Sequence, residues 1–279
     1  MFADIHAHSN ASDGSCTPSE LVSLAKEKGL SGLSITDHDT ILAYQEAIPA
    51  AQKLGLKLGV GIEFSCVFEE NDVHLLGYDF DLHSPEIAHL CERHQNRRAH
   101  RNLQIIEKLR DHKIDISLDE IQGAEGSIGR PHIAELLLKK GYVGSIKEAF
   151  HRYLGEGKSC YARGDILTVD ETIETLHKAH GKAFIAHPQL LSHAFPIDKL
   201  LEKPFDGIEC WYGNLSPKSA EKWERIARTK KWLMSGGSDF HGSIKPDIAL
   251  GSQGVTEEIF NQIFEHTSQL QNSSIWKNR

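Results

Sequence analysis

Short apolar runs rich in branched residues alternate along this chain with stretches whose apolar positions recur at helical spacing. Residues 2–5, 32–36, 57–62, 73–80, 182–186, 207–210 and 232–235 read as strands. Strands separated by helical segments imply β-α units and a parallel sheet. The helix between the first two strands carries its own start and stop signals. Thr17 is placed to accept from the backbone as N-cap, Pro18 suits the first helical position, Glu20 completes a capping box and Gly29 follows the end. From about residue 84 to 168 the strand signal vanishes. Leu103, Ile106 and Leu109, then Ile133, Leu136 and Leu137, fall instead at helical spacing. The chain thus divides into a barrel-like part, residues 1–83 and 169–267, a helical insertion over 84–168 acting as a cap, and a polar tail over 268–279.

Composition narrows the chemistry. With 279 residues and 39% hydrophobic content, the chain can bury a sizeable core. A net charge of −8 gives no support to an extended, non-specific nucleic-acid surface. The five cysteines are scattered and form no C-x-x-C pair, which argues against a disulfide framework and a thiolate metal site. No leader-like segment or membrane-length apolar run is present, so a cytoplasmic location is expected, with no membrane partner. What stands out is histidine, 17 residues of it, and where it falls.

The first strand runs into Asp4-Ile5-His6-Ala7-His8, and on an extended chain His6 and His8 point the same way. The second ends in Thr36-Asp37-His38-Asp39-Thr40. Asp39 or Thr40 could cap a following helix, but that leaves Asp37 and His38 without a reason. Glu63 stands at the tip of the third strand, His74 at the start of the fourth, His187 after the fifth, Glu209 at the end of the sixth, and Asp239 and His241 after the seventh. In α/β barrels the rim at the strand C-termini carries the site. Imidazoles and carboxylates without thiolates suit Mn, Fe or Zn. One ion takes about four protein ligands, so this many candidates imply more than one ion. A carboxylate such as Glu63 can bridge two, and paired ions can clamp the attacking and leaving oxygens of an in-line displacement.

These motifs resemble the PHP (polymerase and histidinol phosphatase) superfamily of metal-dependent phosphoesterases. The resemblance rests on Asp4-Ile5-His6-Ala7-His8-Ser9, Ile35-Thr36-Asp37-His38-Asp39-Thr40, Gly61-Ile62-Glu63, Asp72-Val73-His74, His187-Pro188 and Ser238-Asp239-Phe240-His241. It implies an α/β fold, a distorted (β/α)7 barrel with an inserted helical cap, and a trinuclear centre, with manganese the first expectation for the metal. By this resemblance one ion is held by His6, His8, Glu63 and Asp239; a second shares Glu63 and takes His74 and His187; a third uses Asp13, His38 and His241. Ser9 to Gly14, the run Gly129-Arg130-Pro131-His132 and the helical insertion are similar to the branch containing 3′,5′-nucleoside bisphosphate phosphatases and RNase AM-type 5′-to-3′ exonucleases.

The expected activity is hydrolysis of a small phosphate ester by a metal-bridging hydroxide, either removal of the 3′-phosphate of a nucleoside 3′,5′-bisphosphate or trimming of short 5′-phosphorylated RNA. Histidinol-phosphate hydrolysis is the alternative within the superfamily, and a non-catalytic metal-binding module the alternative outside it. Asp37 is expected to orient ligands. Arg130 and His132, at a helix start, are expected to meet a second phosphate, since helix N-termini favour anions and arginine adds bidentate geometry. Pairing of Arg130 with Glu135 would be the ordinary structural use. Ser127, Lys158 and Tyr161 are candidate pocket residues. Arg93, Arg97, Arg98 and Arg101 share a helix on which a charge run is usually solvated, yet residues 94, 97, 98 and 101 lie on one side, and Arg97 is the candidate for reaching substrate.

Overall fold

The computed structural model describes residues 2–121, 128–213 and 215–265. Seven strands form one sheet in chain order: β1 (Ala3–Ala7), β2 (Gly32–Ile35), β3 (Lys57–Phe68), β4 (Asn71–Tyr78), β5 (Lys182–Ile185), β6 (Gly207–Tyr212) and β7 (Leu233–Gly237). Each strand read from the sequence is present. The direction of one differs from expectation: β4 runs antiparallel to both β3 and β5, and all other pairs are parallel. The cause is a two-residue hairpin, Glu69-Glu70, with φ of 44° and 69°. Such turns normally announce themselves with Asn or Gly, and neither occupies these positions. Because β4 is reversed, its start lies at the rim where the parallel strands end, which brings His74 to the mouth.

The sheet nearly closes into a barrel. The Asp239 N–H donates to the His6 carbonyl at 2.8 Å and the His8 N–H to the Phe240 carbonyl at 2.9 Å, tying the end of β1 to the segment after β7. The closure depends on Gly237. A Cβ there would sit 2.3 Å from the His6 Cβ and 2.4 Å from its backbone nitrogen, so any side chain would force the strands apart.

The helices are α1 (Pro18–Glu27), α2 (Tyr44–Leu54), α3 (Pro85–Asp111), α4 (Arg130–Lys139), α5 (Ile146–Ala149), α6 (Val169–Lys178), α7 (Ile197–Leu200), α8 (Pro217–Lys230) and α9 (Glu257–Ile263). The capping box at Thr17 and Glu20 is formed as expected, with Gly29 left-handed at φ 78°. Asp39 caps no helix, because α2 starts only at Tyr44. Tyr44 instead reaches beneath the sheet: its hydroxyl accepts from the Gly61 N–H at 2.6 Å and lies 2.7 Å from the Ile35 carbonyl.

Away from the mouth, Val255, Phe260, Ile263 and Phe264 pack with Ala3, Ile5, Leu76, Tyr78 and Phe184, and Val255 pairs with Ala3 at the start of β1. The insertion has a core of its own, including Ile105, Leu109, Ile133, Leu137 and Leu154. Helix α3, 27 residues and so about 40 Å long, links the two bodies. Its buried positions change character along its length: Ile87, Leu90 and Cys91 against the barrel, Arg97, Arg98 and Arg101 over the mouth, then Ile105, Ile106 and Leu109 in the insertion. Among the described residues no helix is long and apolar enough to cross a membrane.

Candidate metal centre and anion pocket

Glu63 organises the mouth. It lies within β3, not at its tip, level with His38, which bridges to it from beyond β2. Its Oε1 is 2.8 Å from both His74 Nδ1 and His187 Nε2. Its Oε2 is 3.0 Å from His8 Nε2, 3.2 Å from His6 Nε2 and 3.4 Å from His38 Nδ1. Asp239 Oδ1 faces His8 at 3.2 Å and His6 and His241 at 3.5 Å. Asp13 lies 3.3 Å from His241 Nε2, 3.6 Å from His8 Nδ1 and 3.8 Å from His38 Nε2. Eight of the nine candidate ligands fall into three overlapping groups able to hold an ion: His8, Asp13, His38 and His241; His6, His8, Glu63 and Asp239; His38, Glu63 and His74. His187 joins the last through Glu63 Oε1.

The donor geometry fits cations better than it fits hydrogen bonds. Among the described residues both ring nitrogens of His8, which is fully buried, and Nδ1 of His38 have no hydrogen-bond partner, although carboxylate oxygens lie close to them. Orphaned buried polar atoms are costly, and lone pairs that converge without sharing protons are what a common cation satisfies. Burial opposes the charged form of His8, yet Asp239 and Glu63 raise it to about 9, while burial pushes its neighbour His38 down to about 3. Burial also works against the carboxylates of Asp13, Glu63 and Asp239, but the imidazoles around them, and Lys245 beside Asp239, hold all three well below the usual range.

The backbone pays attention to aim as well as proximity. His187 and Asp239 have φ of 25° and 56°, and Asp39, next to His38, has 59°. Left-handed backbone at a non-glycine residue is uncommon and collects at functional sites. Glu209, visible at the end of its strand in the sequence but without an evident role there, proves to be an orienting group. Its Oε1 takes the His6 Nδ1 hydrogen bond at 2.8 Å, and its Oε2 accepts from the His187 N–H at 2.7 Å. This turns His6 Nε2 toward Glu63 and Asp239, as carboxylate–histidine pairs do for metal ligands. His241 Nδ1 is fixed by the Asp239 carbonyl at 2.9 Å.

Asp37 acts on the loop that carries the candidate ligand Asp13, with no hydrogen bond to an imidazole among the described residues. Both of its oxygens are engaged by the loop that carries Asp13: the Ser9 N–H at 2.8 Å and the Ser9 and Ser12 hydroxyls at 2.6 Å each. It shapes that loop and has no oxygen left over.

A cavity of about 220 Å3 opens beside the centre, with Asp13, His38, His74 and His241 on one wall and Arg97, Arg98, Arg101 and Arg130 on another. The arginine run is therefore buried at three positions, 97, 98 and 101. Arg98 is committed to Asp39, with Nε and Nη2 at 2.6 and 2.5 Å from Oδ2. Among the described residues Arg97 donates to the Ser65 carbonyl and Arg101 to Asn102 Oδ1 and the Ile128 carbonyl, and neither hydrogen-bonds to a carboxylate there. Burial and the neighbouring guanidinium groups push Arg101 well below its ordinary value. Arg101 thus lines the cavity with Arg97 and Arg98, from the side of the helix that residues 94, 97, 98 and 101 share in the sequence.

Arg130 pairs with Asp72 at 3.7 Å, not with Glu135, and lies 5.2 Å over the Tyr161 ring. Tyr161 donates to Asp72 at 2.8 Å, so it acts behind Arg130. His132 accepts the Gly129 N–H at 2.9 Å, closing the start of α4, and does not line the cavity. Lys158 is exposed and does not line it either. Ser127 lies outside the described residues.

A family model described as PHP domain matches residues 4–216. The chain belongs to the PHP domain family. It is 34% identical to a 5′-3′ exoribonuclease of Haemophilus influenzae over 85% of this chain and 89% of that protein. It is 29% identical to a 3′,5′-nucleoside bisphosphate phosphatase of Chromobacterium violaceum over 85% and 86% of the two chains. Among solved structures, one assigned to the metal-dependent phosphoesterases, from Bifidobacterium adolescentis, superposes with a TM-score of 0.85 at 30% identity, covering 94% of this chain and 95% of that one. The His, Asp and Glu clusters of this PHP protein fit divalent metal ions.

Proposed function

We propose that this enzyme, a metal-dependent phosphoesterase like its relatives, releases phosphate or a 5′-nucleotide from small substrates that carry a second phosphate: nucleoside 3′,5′-bisphosphates or short 5′-phosphorylated RNA. The observation that carries the reading is the pairing of two features in one cavity, a carboxylate–imidazole centre and a set of buried arginines, two of which, among the described residues, hydrogen-bond to no carboxylate. Three divalent ions, manganese first among them, would be held by His6, His8, Glu63 and Asp239; by Glu63, His74 and His187; and by Asp13, His38 and His241. Bound there, such ions lower the pKa of water and stabilise charge on the phosphoryl oxygens and the leaving alkoxide.

The chain's own residues supply position. Glu209 and Asp37 fix the imidazoles and the Asp13 loop. Arg130, aided by Arg97 and Arg101, takes the non-scissile phosphate, where a desolvated charge-assisted hydrogen bond is worth about 1.5–3 kcal/mol. His132 holds the start of α4 and so the origin of the Arg130 side chain. The insertion, with α3 and α4 over the mouth, limits entry of bulk water and of long chains. The net charge of −8 likewise favours short substrates over extended RNA. A cytoplasmic location is the matching setting.

The test is a panel of esters offered to the manganese-loaded enzyme: adenosine 3′,5′-bisphosphate, 5′-phosphorylated RNA of two to five residues, histidinol phosphate and nitrophenyl phosphate. The proposal expects the first two to exceed the others in kcat/KM by about 10-fold or more, the value of one charged contact. Equal turnover of all four, or a preference for histidinol phosphate, would overturn it.

A further inference from the structure

Asp239 uses its two oxygens differently. Oδ1 faces His6, His8 and His241. Oδ2 points away and receives two donors, the Tyr212 hydroxyl at 2.7 Å and the Lys245 ammonium at 2.6 Å. The three come from separate places: Tyr212 ends β6, Asp239 follows β7 and Lys245 lies beyond the short turn Gly242–Ile244. The backbone of Asp239 is left-handed and tied through its N–H to the His6 carbonyl, which sets the direction from which its carboxylate enters. A carboxylate oxygen offers two lone-pair directions, and two donors fill those of Oδ2.

We infer that Tyr212 and Lys245 are positioning residues that confine Asp239 to single-oxygen coordination and so keep one coordination position of its ion open for substrate or water. The inference rests on the proposed role of Asp239 as a metal ligand. A carboxylate with both oxygens free can chelate an ion with the pair. Catalytic sites need an open position, and closed ones are structural. With Oδ2 occupied, chelation would require breaking two charge-assisted hydrogen bonds in a buried setting. Lys245 has a second consequence. It lines the same cavity as Asp13, His38 and His241, so its charge adds to that of the arginines toward an arriving phosphate.

A scaffold role and a coordination-restricting role predict different outcomes. If Tyr212 and Lys245 merely supported the fold, their loss would weaken metal binding and turnover together. If they hold Oδ2, their loss frees it, so the ion is bound at least as tightly while turnover falls. The experiment uses the metal-stripped full chain titrated with Co2+, read by visible absorption, which weakens as coordination number rises. Nitrophenyl phosphate turnover is measured on the same samples.

For Tyr212→Phe, Lys245→Met and the double variant we expect unchanged cobalt stoichiometry, an equal or lower Kd, weaker absorption per ion, and a kcat lower by about 10–100-fold. Lys245→Arg, which keeps a donor, should restore the wild-type spectrum. Tyr212→Phe removes one oxygen atom and tests the inference even if the lysine variant folds poorly. Wild-type spectra and kcat in Tyr212→Phe and Lys245→Met would overturn it, as would parallel losses of cobalt affinity and kcat. A wild-type chain that takes up no cobalt would instead overturn the reading of the centre itself.

Discussion

Replacing Arg98 with Met isolates the link between the insertion and the metal-binding loop. Arg98 comes from α3, and its partner Asp39 follows His38. Their side chains are 7% and 0% exposed, so solvent screens the pair little. After the change, Asp39 keeps, among the described residues, the Ser65 N–H at 2.8 Å and the neighbouring His94 ring at 3.1 Å. Removing one member of a buried pair costs about 3–5 kcal/mol. A second route gives a similar figure. The stranded carboxyl can take up a proton, and at pH 7, starting from an ordinary Asp pKa near 3.9, that costs about 4 kcal/mol at roughly 1.4 kcal/mol per unit.

At about 2–4 °C per kcal/mol, the melting temperature of the chelator-treated protein should fall by on the order of 10 °C. The pH dependence has a definite sign. Although burial opposes ionisation, Arg98, His94 and His38 hold the Asp39 carboxyl far below its usual value. Its contribution is therefore present above about pH 4 and lost as pH falls below that. The gap between wild type and Arg98→Met should be widest at neutral pH, remain substantial at pH 4 and close only as pH falls further. The double variant Asp39→Asn/Arg98→Met should recover much of the loss, measured as a coupling energy in urea denaturation. A single variant within about 1 kcal/mol of wild type, or losses that simply add, would refute the assignment of this pair.

Three further outcomes follow from the same geometry. Glu209→Gln should lower metal affinity or activity by about 10–100-fold, read by isothermal titration with Mn2+, with little change in the melting temperature of the metal-free chain. Arg130→Ala should reduce kcat/KM for adenosine 3′,5′-bisphosphate by about 10–100-fold, the loss of one charged hydrogen bond, and leave nitrophenyl phosphate nearly untouched; equal losses on both would remove its role in selectivity. Tyr44→Phe should cost about 1–3 kcal/mol in denaturant melts, because the Gly61 N–H and the carbonyl of Ile35 lose their buried partner.

Much of the barrel was legible because buried strands and capped helices leave local patterns, as Thr17, Pro18 and Glu20 do. The clustering of His6, His8, His38, Glu63, His187, Asp239 and His241 could be read from strand ends alone, since parallel strands deliver their C-termini to one rim. His74 required the reversal of β4, and the Glu69-Glu70 turn gave no glycine or asparagine to announce it. The arginines of α3 were ambiguous for another reason. A charge run has the same sequence signature whether it faces water or an anion pocket, and only the packing of α3 across the mouth decides. Asp39 looked like a helix cap because its partner lies 59 residues away. Lys245 and Tyr212 left no local signal, since their meaning lies in which oxygen of Asp239 they reach.

The most direct test of the shared centre is anomalous diffraction from crystals of the manganese-loaded protein. The account predicts up to three peaks, one for each side-chain group, with both oxygens of Glu63 within about 2.0–2.3 Å of an ion and Asp239 contributing Oδ1 alone. Ions bound elsewhere, with His6, His8, Glu63 and Asp239 left unligated, would contradict it.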